Sequence, residues 1–277
     1  MDSVVIKHIR SRMHEKNQNF LCIFTGATGS GKSYSALEFA RKVDPNFKLE
    51  RLVFSAKDFM ALLNSGNLKT GDAIIWDEAG VGISAREWWS ISNKAINYVM
   101  QTFRHLNLCL IMTVPSFSYI DSGVRKLFHG FVQTLEIDYD KDICYTKFMF
   151  ITHNPRYDKL YFKYPRMKID GRIRRISRVK FRKPHHKVLE AYEKKKKAFT
   201  KALNEEIGQD LDKYDELKKK NAQPKLSNED YAKIVLKRSK EFQNSKGRLD
   251  IFAIAEGLQV SEHRAKKIRW LVNKGKV

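Results

Sequence analysis

The stretch FLCIFTGATGSGKSYSALEF, Phe20 to Phe39, decides the fold. Its first six residues, 20–25, form an apolar, strand-like run. Residues 32–43 carry apolar side chains at helical spacing and stop at Asp44-Pro45, where the ring of a proline disfavours further helix. Between them lies Gly26-xxxx-Gly31-Lys32-Ser33, the full phosphate-loop pattern in the strand–loop–helix context that it requires. Glycines let backbone N–H groups converge on phosphate oxygens, and the helix N-terminus adds a favourable dipole. The spacing therefore assigns Gly26, Ala27, Thr28, Gly29, Ser30, Gly31, Lys32, Ser33 and Tyr34 to nucleotide binding. ATP and Mg²⁺ are the expected ligands, with Lys32 on the β/γ oxygens and the Ser33 hydroxyl on the metal.

Downstream, AIIWDE (73–78) is a continuously apolar run closed by two acids. An unbroken apolar run is what a buried parallel strand requires. Asp77 at its end is placed to hold the Mg²⁺ hydration shell, and Glu78 to polarise an attacking water. A pair of this kind points to hydrolysis rather than to a small-molecule kinase. The next apolar run, LCLIMTV (108–114), brings Thr113 to a strand tip, which makes it the candidate γ-phosphate sensor. Arg104, at the end of a helical stretch over 85–105, is the candidate arginine finger for a neighbour's nucleotide, in competition with Arg86 and Arg125.

Strands alternating with helices through residue 137 predict a parallel sheet covered on both faces. The pattern then changes. Residues 143–151 and 159–165 alternate over longer runs around an Asn154-Pro155 turn, and predict an antiparallel extension on the sheet's edge. The expected fold class is α/β: a P-loop NTPase parallel sheet with an antiparallel β extension, a long charged helix and a small C-terminal helix-turn-helix unit. The expected segments are a P-loop ATPase domain over 1–165, a basic strand-like extension over 166–184, a charged amphipathic helix and linker over 185–228, and the helix-turn-helix unit over 229–277.

The 277 residues carry 53 Lys+Arg against 31 Asp+Glu, a net +22. The excess is uneven: 21 basic and 16 acidic residues before position 166, then 32 and 15 from there on. The first part is thus +5 and the second +17. Such a surplus favours polyanionic partners. Within RIRRISRVKFRK, Arg172, Arg174, Arg175, Arg178 and Lys180 would give a strand one basic face, whereas Lys194–Lys197 and Lys218–Lys220 read as solvated helix faces. In IFAIAEGLQVSEHRAKKIRWLVNKGKV a first helix ends at Gly257 and Ser261 caps a second. Ala265, Ile268, Leu271 and Val272 line its inner side. Arg264, Lys266, Lys267 and Arg269 lie outside, where a recognition helix would meet DNA.

Cys22, Cys109 and Cys144 are widely spaced with no CxxC, which suits buried free thiols and a reducing compartment. No run approaches the roughly 18 apolar residues of a membrane span, and the N-terminus lacks a signal-peptide apolar core. These features predict a soluble, cytoplasmic protein without a membrane partner.

The loop, then GDAIIWDEAG, QTFRHLNLCLIMTVPS and IDSGVRKLF, resemble the FtsK–HerA class of P-loop ATPases over about residues 18–165. Within it the chain is most similar to the zonula occludens toxin-like branch of phages and archaeal mobile elements. Where that class often has a glutamine at the end of the sensor strand, this chain has Thr113-Val114. The resemblance implies a ring-forming, homo-oligomeric DNA motor, hexameric by analogy, serving packaging, transfer or segregation of mobile-element DNA. Two other readings fit the same residues. One is an initiator or helicase-loader ATPase that binds a specific DNA site through its helix-turn-helix. The other is a DNA-binding switch whose nucleotide sets oligomeric state.

Overall fold

The computed structural model describes residues 4–78, 106–169, 171–221 and 226–275. The chain forms two compact units, Met1–Ile207 and Gly208–Val277, with the division falling inside the long helix.

The first unit is built on β1 (Phe20–Thr25), β2 (Leu52–Val53), β3 (Ala73–Trp76), β4 (Cys109–Val114), β5 (Gly130–Asp138), β6 (Ile143–Asn154), β7 (Lys159–Lys163) and β10 (Val179–Arg182). The sheet runs β10-β6-β5-β1-β4-β3-β2, with β7 also on β6. All pairings from β5 to β2 are parallel, and those made by β6 with β5, β7 and β10 are antiparallel. This is the expected α/β P-loop architecture with an antiparallel edge. The alternation along β1 shows why the sheet needs helices on both faces. Phe20, Cys22 and Phe24 enter one core with α1 (Val5–His14) and α2 (Lys32–Val43). Leu21 and Ile23 enter the other with α3 (Ala56–Asn64) and α4 (Ser122–Arg125).

Three local outcomes differ from the sequence expectations. Helix α1 was not foreseen, although Val5, Ile6, Ile9 and Met13 are buried along one stripe. Each contributes on the order of 1.5–3 kcal/mol of apolar burial. The strand expected over 51–55 is only Leu52–Val53. Its continuation is used otherwise, since the Phe54 carbonyl accepts from the Trp76 indole at 3.2 Å and Ser55 caps α3 by accepting from the Asp58 N–H. The basic run 172–184 is two strands. Arg172–Arg175 forms β9, which pairs with β8 (Arg166–Ile169) in a separate two-stranded sheet, with Gly171 at φ +76° between them. β10 joins the main sheet instead because Val179 and Phe181 point into its core.

Helix α5 (His186–Asn221) follows β10. Its Tyr192 is fully buried in the core shared with α1 and α2, and Phe199 packs on the same cluster. The second unit holds α6 (Asn228–Lys237), α7 (Ile251–Gly257) and α8 (Glu262–Asn273) around Ala232, Val235, Phe242, Ile254, Ala265 and Ile268. Ser227 and Asp230 form a reciprocal capping box on α6, and Ser261 caps α8 as the sequence suggested. The expected helix over 85–105, with Arg86 and Arg104, lies outside the described residues.

Candidate nucleotide site

The phosphate loop leaves β1 and enters α2 with Gly26 at φ +150°, Gly29 at +77° and Gly31 at +83°. Gly26 is constrained twice. Its φ disfavours a side chain, and a Cβ there would stand 1.9 Å from the Thr134 hydroxyl. That threonine, on β5, braces the loop. It donates to the Thr25 carbonyl at 3.1 Å, so its remaining contact with Ser30 at 2.7 Å has the Ser30 hydroxyl as donor. The Gly26 N–H reaches the Pro115 carbonyl across the sheet.

β4 lies between the loop's strand and β3, and this order builds the acidic half of the site. The register that pairs Trp76 with Met112 brings Asp77 beside Thr113. The Thr113 hydroxyl donates to Asp77 Oδ1 at 2.7 Å and accepts from the Glu78 N–H at 2.9 Å. Asp77 is fully buried, and its second oxygen accepts from the Tyr192 phenol at 2.7 Å. Thr113 thus ties the two acids together, with its hydrogen directed at Asp77. Glu78 takes a left-handed backbone at φ +50°, rare for a residue with a side chain. Its carboxylate stands half-exposed, 2.6 Å from Lys196 Nζ.

Lys32 folds onto its own loop, donating to the carbonyls of Gly26 at 2.8 Å and Ala27 at 2.7 Å. Burial lowers its pKa against the opposing pull of Asp77 and Glu78. Burial followed by the Asp77 charge pushes the Tyr192 phenol's pKa up, which keeps the hydrogen that it donates to Asp77 in place. Tyr34 donates to Glu193 at 2.8 Å, and burial with that partner pushes its pKa up to about 12.

These groups surround a cleft of about 530 Å³ lined by the loop from Thr28 to Tyr34, by Glu78, Thr113, Val114 and Pro115, by Tyr119, Ile137 and Tyr139, and by Tyr192, Glu193 and Lys196. The size suits a nucleotide, since ligand clefts typically span about 300–1,000 Å³. The donor set also suits Mg²⁺. Ser33 lines the cleft and Asp77 follows β3 as a buried carboxylate, and Mg²⁺ needs only one or two protein oxygens beside water and phosphate. Among the described residues no group of three or more His, Cys, Asp and Glu forms another metal cluster.

Of the residues expected at the nucleotide site, Thr28 to Tyr34, Glu78 and Thr113 line the cleft, Lys32 bonds the Gly26 and Ala27 carbonyls, and Asp77 is bonded to Thr113. Arg125 is engaged in its own loop instead: it donates to the Ile120 and Ser118 carbonyls and stacks on Phe117. The contributions of Thr134, Tyr192, Glu193 and Lys196 were missed. The three in α5 lie more than 110 residues from Asp77 in sequence, and Tyr192 reads there as one more apolar seam residue. The three cysteines are free and buried, and burial pushes the thiol pKa values of Cys22 and Cys109 up, as inert core thiols require.

The candidate DNA-contacting residues are spread over both units. Arg172, Arg174 and Arg175 are exposed on β9, where Arg175 stands opposite Arg166 and over the Tyr164 ring. Arg178 lies 3.4 Å from Glu136, and Lys180 sits over Tyr145. In the second unit Lys266 and Lys267 are exposed. Arg264 is turned inward, donating to Asn228 and the Leu226 carbonyl and stacking on Tyr231, and Arg269 contacts the Leu249 carbonyl. No described helix is long and apolar enough to cross a membrane.

No family model matches the chain, and no curated protein does. Among solved structures it is similar to the N-terminal domain of zonular occludens toxin from Neisseria meningitidis, at 16% identity and TM-score 0.33, over 52% of this chain and 93% of that one. It is also similar to a KaiC-like protein from the archaeon Pyrococcus horikoshii, at 11% identity and TM-score 0.30, over 59% and 90%. Likenesses at this level carry no function across.

Proposed function

We propose that this protein is a Mg-ATP-hydrolysing DNA motor that acts as a homo-oligomeric ring on mobile-element DNA. The observation that supports hydrolysis best is the meeting of Lys32, Ser33, Asp77 and Glu78 just beyond the C-terminal ends of β1 and β3, with the two acids tied through Thr113. Lys32 exchanges its loop carbonyls for the β/γ-phosphate oxygens. Ser33 and Asp77 would hold Mg²⁺, which when bound would supply charge neutralisation at the transferred phosphoryl group. Glu78 accepts a hydrogen bond from the attacking water and takes its proton. An arginine of a neighbouring subunit, Arg104 by sequence, completes the site.

The DNA half of the reading is supported by charge. The +17 excess over 166–277 and the exposed arginines of β9 suit sequence-independent contact with phosphates, as a translocating motor needs. The paired capped helices α7 and α8, with Lys266 and Lys267 exposed, favour the second reading, an initiator or loader that marks one DNA site.

The test is ATP turnover without DNA, with duplex and with single strands, using Lys32→Ala as the inactive control. The motor predicts stimulation by DNA of any sequence. Turnover indifferent to nucleic acid contradicts it, and tight binding to one short site without general stimulation selects the loader.

A further inference from the structure

Among the described residues, helix α5 reaches the cleft through Tyr192, Glu193 and Lys196, and it is firmly seated there. Tyr192 is fully buried and bonded to Asp77. On the neighbouring faces, Lys195 donates to the Leu49 and Leu52 carbonyls, and the Phe199 ring stacks on Phe54 at 4.9 Å. These anchors on either side fix the backbone of Lys196 relative to the phosphate loop. Its side chain is freer. Four methylenes carry the ammonium over the Tyr192 ring and out to Glu78, where it forms a 2.6 Å ion pair at the wall of the nucleotide cleft.

Two ammonium groups therefore face one cleft. Lys32 is held by neutral carbonyls. Lys196 is held by Oε1 of the carboxylate that the hydrolysis reading makes the water-activating group, and at that oxygen the ammonium competes with water. A triphosphate changes the competition. Its terminal phosphate carries more negative charge than one carboxylate and offers several oxygens, so it draws the flexible cation away from Glu78. A diphosphate lacks that group and leaves the pair intact.

We propose that Lys196 is a further catalytic residue, a cation supplied in cis by α5 that pairs with Glu78 and transfers to the γ-phosphate when ATP binds. One movement then has two effects: it frees Glu78 to hold water, and it places positive charge on the phosphoryl group being transferred. The proposal rests on the hydrolysis reading, and it adds that discrimination between ATP and ADP resides in a residue of the long helix.

The test uses the full chain and binding as well as turnover. Fluorescent ATP and ADP analogues are titrated into the wild type, Lys196→Ala, Lys196→Arg and, as a control on the same helix, the exposed Lys197→Ala, with folding checked by thermal unfolding. Lys196→Ala is expected to keep its ADP affinity within about twofold, to lose at least about tenfold of its preference for ATP, and to lose roughly 10²- to 10³-fold in turnover. Lys196→Arg recovers most of both, and Lys197→Ala matches the wild type. Unchanged ATP preference in a folded Lys196→Ala protein overturns the proposal, as does faster turnover, which would make the ion pair only a brake. A wild type that binds neither nucleotide removes the hydrolysis reading itself. A wild type that binds and hydrolyses ATP while Lys196→Ala behaves identically removes only the role of Lys196.

Discussion

The nucleotide cleft and the basic segment β8–β9 are both rich in charge, yet the structure treats them oppositely. In the cleft, polar groups are interlocked: Asp77 is held by Thr113 and Tyr192, Glu78 by Lys196, and Ser30 by Thr134. On β9 the four residues of Arg172–Arg175 are all exposed, and like-charged Arg166 and Arg175 stand opposite each other. Buried polar groups must find partners, so in the cleft geometry fixes each residue's task. Exposed cations are solvated whatever their task, and like charges facing each other across a ladder destabilise it slightly unless an anion lies nearby. The first region is informative because it is closed. The second becomes informative only with its partner added.

The sharpest way to test the interlocked side is Glu78→Gln. The shape and the contact to Lys196 survive, but the base is lost, so turnover is expected to fall about 10³-fold or more while ATP affinity stays within a few-fold. Turnover within tenfold of the wild type, measured by phosphate release, would remove Glu78 from the mechanism.

A smaller effect distinguishes two glycines of the same loop. Gly26→Ala places a methyl group into the doubly bonded Thr134 hydroxyl and is expected to cost more than about 2 kcal/mol in denaturant unfolding. Gly29→Ala meets nothing within 4 Å and carries only the left-handed backbone penalty, about 1–2 kcal/mol. Equal losses would mean that Thr134 does not brace the loop.

Next comes a pH effect at the far end of the same strands. His129 Nδ1 accepts from the Leu21 N–H at 3.1 Å, and burial, then the nearby Arg12, lowers its pKa to about 3. The unfolded imidazole titrates near 6.5. Between these values the unfolded state binds the extra proton, so stability falls as pH drops from 6.5 towards 3, by at most about 1.4 kcal/mol per pH unit from this group. His129→Asn keeps an acceptor without titrating, and its acid limb is expected to be correspondingly flatter in pH-dependent unfolding. Parallel curves would contradict the assignment.

The smallest effect is expected on the open side. Arg174→Ala should alter unfolding free energy by no more than about 0.5 kcal/mol, as exposed substitutions do. A larger loss would reveal a structural partner and bring β9 closer to the cleft in character.

The same contrast explains what could be read from sequence. The phosphate loop, the Asp77-Glu78 pair and the parallel strands were legible because each is carried by neighbours in the chain: glycines at fixed offsets, a short apolar run, two acids at its end. Helix α1 carried a legible signal too, with Val5, Ile6, Ile9 and Met13 at helical offsets, but over only ten residues. The insertion of β4 between β1 and β3 was not legible, because strand order depends on which surfaces pack together. Tyr192 and Lys196 were hidden for a related reason. A phenol in an apolar seam and a lysine in the run Lys194–Lys197 look ordinary until the fold brings Asp77 and Glu78 to them. The split of residues 172–184 turned on whether alternate side chains met a core. Val179 and Phe181 did, and Arg172–Arg175 did not.

The central claim joins the two regions: ATP hydrolysed in the closed cleft does work on DNA held by the open basic surface. Its most direct measurement is ATP turnover titrated with duplex DNA, for the intact chain and for a variant with Arg172, Arg174 and Arg175 replaced by alanine. The account predicts that DNA accelerates turnover in the intact chain, that the DNA concentration giving half the effect rises at least about tenfold in the variant, and that added salt narrows this gap. Turnover that ignores DNA in both proteins, at low and moderate salt, would contradict it.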